Sequence, residues 1–338
     1  MTSIRTFILP AAALALCAAA GAQTLGTAEP AALVKAAQAE GSVMLYSSED
    51  ESTQKATLTA FEKKYGIKGG FIRFPTGPLM QRFNTEYDGG KVQADVVSIS
   101  STVPFDTNAD RFLPLSAQAM PNLAQWPASQ VKANFVNHTM DIVALVYNTD
   151  LLKPQDVPKT WSDLADPKWK GKFLLTDPQV ADNYMGWLDA VERSQGIGLL
   201  KKIATQDFKL TQSGASGVQQ VAAGAYLFNA PTFTAFSRTL IAKKAPIAIQ
   251  YLTDPSVISA RSLAIAAKAP HPNAARLLVN WLLSDEGVRT YCSYIKTSVF
   301  GDPKGEHGCV AFRDGELMRF DVPEERRRTL AKALGVAH

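Results

Sequence analysis

The sequence predicts an α/β protein made of two βα-rich halves, and three observations carry that reading. Short apolar runs alternate with longer amphipathic stretches along most of the chain. Over residues 31–99 the order strand–helix–strand–helix–strand implies a parallel sheet. The length of 338 residues is two domains' worth at about 150 residues each. A chain of that size buries about three-quarters of its unfolded surface, so sizeable cores are expected.

The first segment stands apart from the fold. Arg5 supplies a basic start, Phe7 to Ala20 is apolar and uncharged, and Ala20-Gly21-Ala22 is a small-residue cleavage pattern before Gln23. Residues 1–22 therefore read as a secretory signal peptide. The run is too short to span a membrane. Leu16, before Cys17, is too bulky for lipoprotein processing. No later stretch approaches a spanning helix, so an exported chain without stable membrane insertion is expected. Cleavage removes Cys17 and leaves Cys292 and Cys309. An even pair in an exported protein reads as one disulfide. Its loop of roughly 17 residues is worth about 3 kcal/mol in chain entropy.

The elements follow in order. Ala31 to Ala39 is a helix opened by Pro30 and ended by Gly41, and Val43 to Tyr46 is a buried strand. Ser52 to Tyr65 has apolar residues at helical spacing and stops at Gly66. Gly70 to Phe74 is a strand, Leu79 to Tyr87 a helix, and Ala94 to Ile99 a strand. Prolines 114, 121 and 127 then loosen the rhythm before a strong strand at Ile142 to Tyr147. Further strands are expected at Phe173–Thr176, Ala225–Phe228, Ile247–Leu252 and Leu263–Ala266. Helices are expected at Gln179–Ser194, Gly198–Thr205, Gly217–Ala223, Asn273–Leu283 and Pro323–Leu334. In the last, Arg326-Arg327-Arg328 reads as a solvated basic face.

Ligands of open α/β sheets bind beyond the carboxyl ends of the strands. The residues that follow the strands are Ser47, Ser48, Glu49 and Asp50, then Thr76 and Gly77, then Ser100 and Ser101. In the second half they are Asp177, Gln179 and Asn183, then Ser213, Gly214 and Ser216, then Asn229 and Thr232. Each alone suits a helix cap. Their recurrence at equivalent places predicts a cleft rich in neutral donors, where helix amino termini favour anions. Ser48, Thr76, Ser101, Ser213 and Ser216 are expected to converge there. Arg73, Arg82 and Arg261 are candidate charge partners. The aromatics Tyr226, Phe228, Phe233 and Phe236, with Tyr184 and Trp187, line either a pocket or a core.

Several function classes drop out. With 46% hydrophobic and 20% charged residues the chain is neither disordered nor collagen-like. The charge of +4, from 35 basic and 31 acidic residues, is no nucleic-acid footprint, and no basic–aromatic interleaving occurs. No Walker loop, dinucleotide fingerprint, His-x-x-x-His or EF-hand pattern is present. Ser213 to Gly217 has nucleophile-elbow spacing only loosely and lacks the preceding apolar strand. No cofactor, no resident metal and no catalytic residue are expected.

The residues also resemble a known family. Gly41-Ser42-Val43 through Tyr46-Ser47-Ser48, Phe61 to Ile67, Ala94-Asp95-Val96-Val97 and Val146 to Asp150 carry the likeness. So do Trp161 to Leu164, Asp166 to Lys172, Ala269 to Ala275 and Leu282 to Gly287. Together they are similar to periplasmic solute-binding proteins of ABC importers, the type II group that takes ferric iron and other small solutes. The resemblance implies two Rossmann-like lobes joined by a crossing-strand hinge, with the solute held between them. It implies lobe 1 from 23–103 plus about 253–300, and lobe 2 from about 104–252 plus about 301–338. It also implies a periplasmic monomer that docks on permease subunits and is not an enzyme.

One departure bears on the ligand. Iron-binding members carry adjacent tyrosines after the strand at Ala225, and here the segment reads Ala225-Tyr226-Leu227-Phe228-Asn229. Asp50 stands near the place of their first-loop histidine. Fe(III) needs phenolate or carboxylate oxygens. A small organic anion bearing a carboxylate, phosphate or phosphonate is the preferred ligand. Iron, or a polyamine or thiamine-type cation using Asp50, Asp177 and Asp182, is the alternative. An exported hydrolase on the same fold is the different-class alternative.

Overall fold

The computed structural model describes residues 25–49, 51–180, 182–295, 297–298, 310–311 and 315–337. The expected signal segment, Asp50 and Cys309 lie outside these residues. The first half runs α1 (Ala31–Glu40), β1 (Ser42–Ser47), α2 (Glu51–Tyr65), β2 (Lys68–Arg73), α3 (Thr76–Asp88), β3 (Val96–Ile99) and α4 (Val103–Thr107). Short 3-10 turns lead to β4 (Val136–Asn148). Next come β5 (Phe173–Thr176), α5 (Asp182–Gln195), α6 (Ile197–Ala204), β6 (Lys209–Thr211), α7 (Gly214–Ala222), β7 (Phe228–Phe233), α8 (Ala235–Ala242) and β8 (Ile247–Tyr251). The chain ends with β9 (Val257–Ile265), α9 (Pro272–Leu282), α10 (Asp285–Ile295), β10 (Thr297–Ser298), β11 (Val310–Ala311), β12 (Glu316–Leu317) and α11 (Glu324–Leu334).

The main sheet has the order β2-β1-β3-β9-β4-β7-β5-β6. β1 pairs in parallel with β2 and β3, and β5 pairs in parallel with β6 and β7, as two βα halves require. β4 joins them. Its first part pairs with β9, from Val136↔Leu263 to Ile142↔Ile258, and its second part with β7 and β8. β4 and β9 are therefore the crossing strands between two βα lobes, the architecture the resemblance implies. The strand expected at 142–147 is only the lobe 2 half of β4.

Each lobe has its own core. In lobe 1, α9 lays Leu277, Leu278 and Trp281 against the sheet, with Trp281 at 5.7 Å from Phe61. Burying each such side chain contributes about 1.5–3 kcal/mol. α9 starts at Pro272, and Glu40 accepts from the Asn273 and Ala274 N–H groups at 3.0 and 2.7 Å. An acidic group at that end complements the helix dipole. Lobe 2 packs Trp161, Trp187, Phe173 and Phe228, with Phe173 stacked on Phe228 at 4.9 Å.

Three expectations change. Phe105, Phe112 and Phe135 pack with the β1–β3 strands, and Met120, Leu123 and Trp126 with α9. These apolar side chains of residues 104–135, expected in lobe 2, thus pack into the first core. The strand expected at Ala225–Phe228 lies later, at 228–233, so Asn229 and Thr232 are inside β7 and not beyond it. Pro231 has no N–H for the ladder, and the β4–β7 register shifts beside it. The basic tail is no solvated face throughout. Arg326 pairs with Asp189 and with Glu192 (2.6 Å), and Arg327 with Asp182, which fastens α11 to α5. Burial alone would raise the Asp189 carboxyl, but the Arg326 and Arg193 guanidiniums outweigh it and hold it below its ordinary value.

Candidate functional site

The site is built where the crossing strands leave lobe 1. Thr139 pairs with Arg261 and Asp141 with Ser259 across β4 and β9. Directly paired residues, and those two apart, share one face of a sheet. This face therefore carries Thr139, Asp141, Ser259 and Arg261. The Thr139 hydroxyl oxygen is buried and has no hydrogen-bond partner among the described residues.

From lobe 1, the turn after β1 reaches Arg261. Glu49 forms an ion pair with its Nε, and Ser48 Oγ accepts from its Nη1 at 3.4 Å. Arg73 Nε donates to the Glu49 carbonyl at 3.3 Å. Two guanidiniums thus bracket Ser48-Glu49. The turn is held from behind: Ser47 Oγ accepts from Glu49 N at 3.0 Å, and Ser48 N donates to Ser98 O at 2.9 Å. Beneath Arg261, the His138 ring meets the Arg261 carbonyl through Nδ1 at 3.1 Å. Burial lowers His138 to about 3, and the Arg261 charge adds to that, against the hydrogen bond. Its ring is neutral at physiological pH.

From lobe 2, Thr234 Oγ1 donates to Asp141 Oδ1 at 3.5 Å, a long bond. The start of α7 stands beside it. Gly214 N donates to the Tyr184 hydroxyl at 3.1 Å. Burial pushes Tyr184 up to about 12, and the Asp141 charge raises it further, against the Gly214 bond. Tyr184 therefore keeps its proton, which it can donate. A Cβ on Gly214 would lie 2.3 Å from the Tyr184 oxygen, 2.9 Å from Thr232 Oγ1 and 3.0 Å from Phe236. Only glycine fits there. Thr232 Oγ1 is fully buried and has no partner among the described residues. Buried hydroxyls without partners are rare in folded proteins.

The candidates named from sequence divide into groups. Ser48 stands against Arg261 in the turn after β1, and Thr232 is buried beside Gly214 at the start of α7. Thr76 and Ser100 meet at 3.4 Å between their hydroxyls, beside the same strand ends. Ser101 lines a polar groove in which the lobe 1 residues Ser101 and Asp106 face Arg193, Glu316 and Arg319 of the lobe 2 side. Gly77 is exposed, and nothing approaches it closely. Ser213 Oγ accepts from Ser216 N at 3.1 Å as an ordinary cap, and Ser216 Oγ is within 3.4 Å of Gln220. Asn183 Oδ1 accepts from Tyr184 N at 3.0 Å. The Gln179 amide is taken by the Val336 carbonyl. Asn229 is buried under Gly217 against Thr176. Of the arginines, Arg82 is committed to Glu86 and Tyr46.

Asp141 and Thr139 are not among the residues the sequence singles out, and Glu49 is there only one member of a turn. Asp141 carried a signal: it is the one charge in Val136-Asn137-His138-Thr139-Met140-Asp141-Ile142-Val143-Ala144-Leu145-Val146, a strand otherwise apolar or neutral. Asp177 accepts from Gln179 N and Asp182 pairs with Arg327, so two of the three acids proposed for a polyamine are engaged elsewhere, and the third, Asp50, lies outside the described residues.

Comparison with known proteins gives a consistent picture. The family model described as bacterial extracellular solute-binding protein matches residues 46–289. An uncharacterized protein of Haemophilus influenzae is 26% identical over 266 residues, 74% of this chain and 75% of that one. Among solved structures, the periplasmic binding protein AfuA of Actinobacillus pleuropneumoniae with fructose-6-phosphate bound has a TM-score of 0.62 at 22% identity, covering 88% of this chain and 99% of its own. Iron-bound HitA of Pseudomonas aeruginosa has 0.64 at 21%, covering 87% and 97%. Both likenesses concern the fold.

Proposed function

The chain belongs to the bacterial extracellular solute-binding protein family, and from that premise we propose that its cargo is a small organic anion bearing a carboxylate, phosphate or phosphonate. In this reading the chain is exported by residues 1–22 and is the periplasmic component of an ABC importer. It works as a monomer that passes its solute to the permease, with Cys292 and Cys309 joined. The family binds solutes and is not one of enzymes.

The observation that supports the anion most is the start of α7. There the Tyr184 hydroxyl, which accepts the Gly214 N–H and keeps its own proton to give, stands beside the unpartnered Thr232 hydroxyl. Neutral donors at a helix amino terminus suit a negative charge. On the lobe 1 side Arg73 adds positive charge beside Arg261, whose own charge is paired with Glu49. Asp141 supplies an acceptor for hydroxyl groups of the same solute. Fructose-6-phosphate, bound in the Actinobacillus neighbour, combines those two features.

Capture follows from two lobes on two crossing strands. A solute that touches donors of both lobes favours the closed form over the open one, which is the whole thermodynamic content of closure. Thermal unfolding with a panel of phosphorylated and carboxylated metabolites tests the reading. A ligand at 100 times its Kd should add about 2.7 kcal/mol, and the solute should be recovered intact. A shift with ferric citrate alone, or with spermidine or thiamine alone, sinks it.

The iron-bound Pseudomonas neighbour makes ferric iron the second reading. The donor set weighs against it. Among the described residues no group of three His, Cys, Asp or Glu side chains could hold a metal. Tyr184 is the single tyrosine of the site, and burial opposes its phenolate.

A further inference from the structure

We infer that the cleft selects organic anions that carry a ring, with Phe74 and Phe236 covering that ring from opposite lobes. The inference rests on the anion reading above and adds the shape of the cargo.

Among the described residues, five large hydrophobic side chains are exposed: Phe74, Leu151, Phe236, Ile241 and Leu317. The two aromatic ones both stand at carboxyl ends of strands that feed the cleft. Phe74 directly follows β2, and its N–H donates to the Ser47 carbonyl at 3.3 Å. That bond sets it beside Ser48-Glu49 and the two guanidiniums. Phe236 lies in the first turn of α8, three residues beyond the end of β7. Its ring edge borders the point where Gly214, Thr232 and the Tyr184 hydroxyl meet.

Phe74 is 41% exposed and Phe236 40%. More than half of each is already covered, so little freedom is left to lose when a ligand arrives. An exposed apolar ring next to charged and hydroxyl donors is a divided surface. The donors serve the anionic group, and the rings serve carbon. Inorganic phosphate has no apolar face to offer them. A sugar ring offers its C–H face, and an aryl ring its π face. Both sources share the chemistry inferred here, a carbon ring with an apolar face attached to an oxyanion.

Titration calorimetry on the mature chain tests this with inorganic phosphate, a hexose 6-phosphate and phenyl phosphate. The ring-bearing anions should bind at least about tenfold more tightly than inorganic phosphate, which corresponds to covering roughly half a Phe side chain. Phe74→Ala and Phe236→Ala should each weaken a ring-bearing anion by about tenfold and leave inorganic phosphate within about twofold. Which ring-bearing anion binds more tightly separates a sugar from an aryl cargo. Equal affinity for all three anions, or ring-bearing affinity indifferent to both substitutions, overturns the inference and leaves the anion reading standing. If no anion binds while ferric citrate or spermidine does, the anion reading falls and takes this inference with it.

Discussion

Asp95 grips His271 at two points. Oδ1 accepts from the His271 backbone N–H at 2.7 Å, and Oδ2 meets the ring Nδ1 at 2.9 Å. Oδ2 also accepts from Met44 N at 2.7 Å, and the far ring nitrogen, Nε2, meets Ser42 Oγ at 3.0 Å. In form this is a serine–histidine–aspartate chain. In place it is not part of the cleft, because Ser42 and Asp95 sit at the amino ends of β1 and β3. It fastens the start of α9 to the sheet. Asp95→Ala would leave the Met44 and His271 N–H groups unpaired at a buried site, at about 1–3 kcal/mol for each. A loss of about 3 kcal/mol in urea unfolding is expected. Ser42→Ala should cost under about 1 kcal/mol and leave solute affinity unchanged. An affinity loss there would move the site to this end of the sheet.

Gly214→Ala tests the lobe 2 wall. The new methyl would meet the Tyr184 oxygen and Thr232 Oγ1 inside van der Waals distance. Overpacking of this kind costs about 1–3 kcal/mol. Solute affinity should fall further than stability does, because the methyl displaces the Tyr184 and Thr232 hydroxyls proposed to serve the solute. Comparing the melting shift of the free protein with the Kd of the variant separates the two effects. Equal fractional losses would make Gly214 a packing residue only.

How much of this was readable in the chain differs by element. The strands of lobe 1 were, because Val43 to Tyr46 and Ala94 to Ile99 are apolar runs flanked by turn residues. β7 was displaced, since Tyr226 and Leu227 mimic a strand while Pro231 argues against one. The turns were placed well, but residue type could not tell a cap from a ligand. Ser213 and Ser216 look alike in sequence to Ser48, and only their partners separate them. The charges inside the crossing strands, Asp141 and Arg261, were the better signal. An ionised side chain in a strand that is otherwise buried needs a reason. The docking of Arg326 on Asp189 could not be read at all, because it joins residues far apart in sequence.

The cap assignment of Ser213 is itself testable. Ser213→Ala removes the acceptor for Ser216 N and should destabilise by about 1 kcal/mol, a usual cap loss. Ser216→Ala removes only a long contact to Gln220 and should stay within about 0.5 kcal/mol. Denaturant midpoints of the two variants resolve this. If the double variant also weakens an anionic solute by more than about 1–3 kcal/mol, both hydroxyls touch the solute as well.

His138 gives the protein a defined acid sensitivity. Its ring is buried against Tyr291, whose hydroxyl donates to the His138 carbonyl at 3.1 Å, and it lies under the Arg261 strand. Burial lowers it in the folded state from 6.5 to about 3. Between those values the unfolded chain holds a proton that the folded chain does not. The stability tied to the neutral ring is therefore complete above about 6.5 and drains away as pH falls toward 3. The slope approaches about 1.4 kcal/mol per pH unit. His138→Gln keeps a donor for the Arg261 carbonyl but cannot titrate. Urea unfolding at several pH values should show a shallower loss for the variant than for the native chain on the acid side. Parallel curves would mean that the native ring takes up its proton without opening the core, and the packing of His138 beneath Arg261 would then be looser than its burial implies.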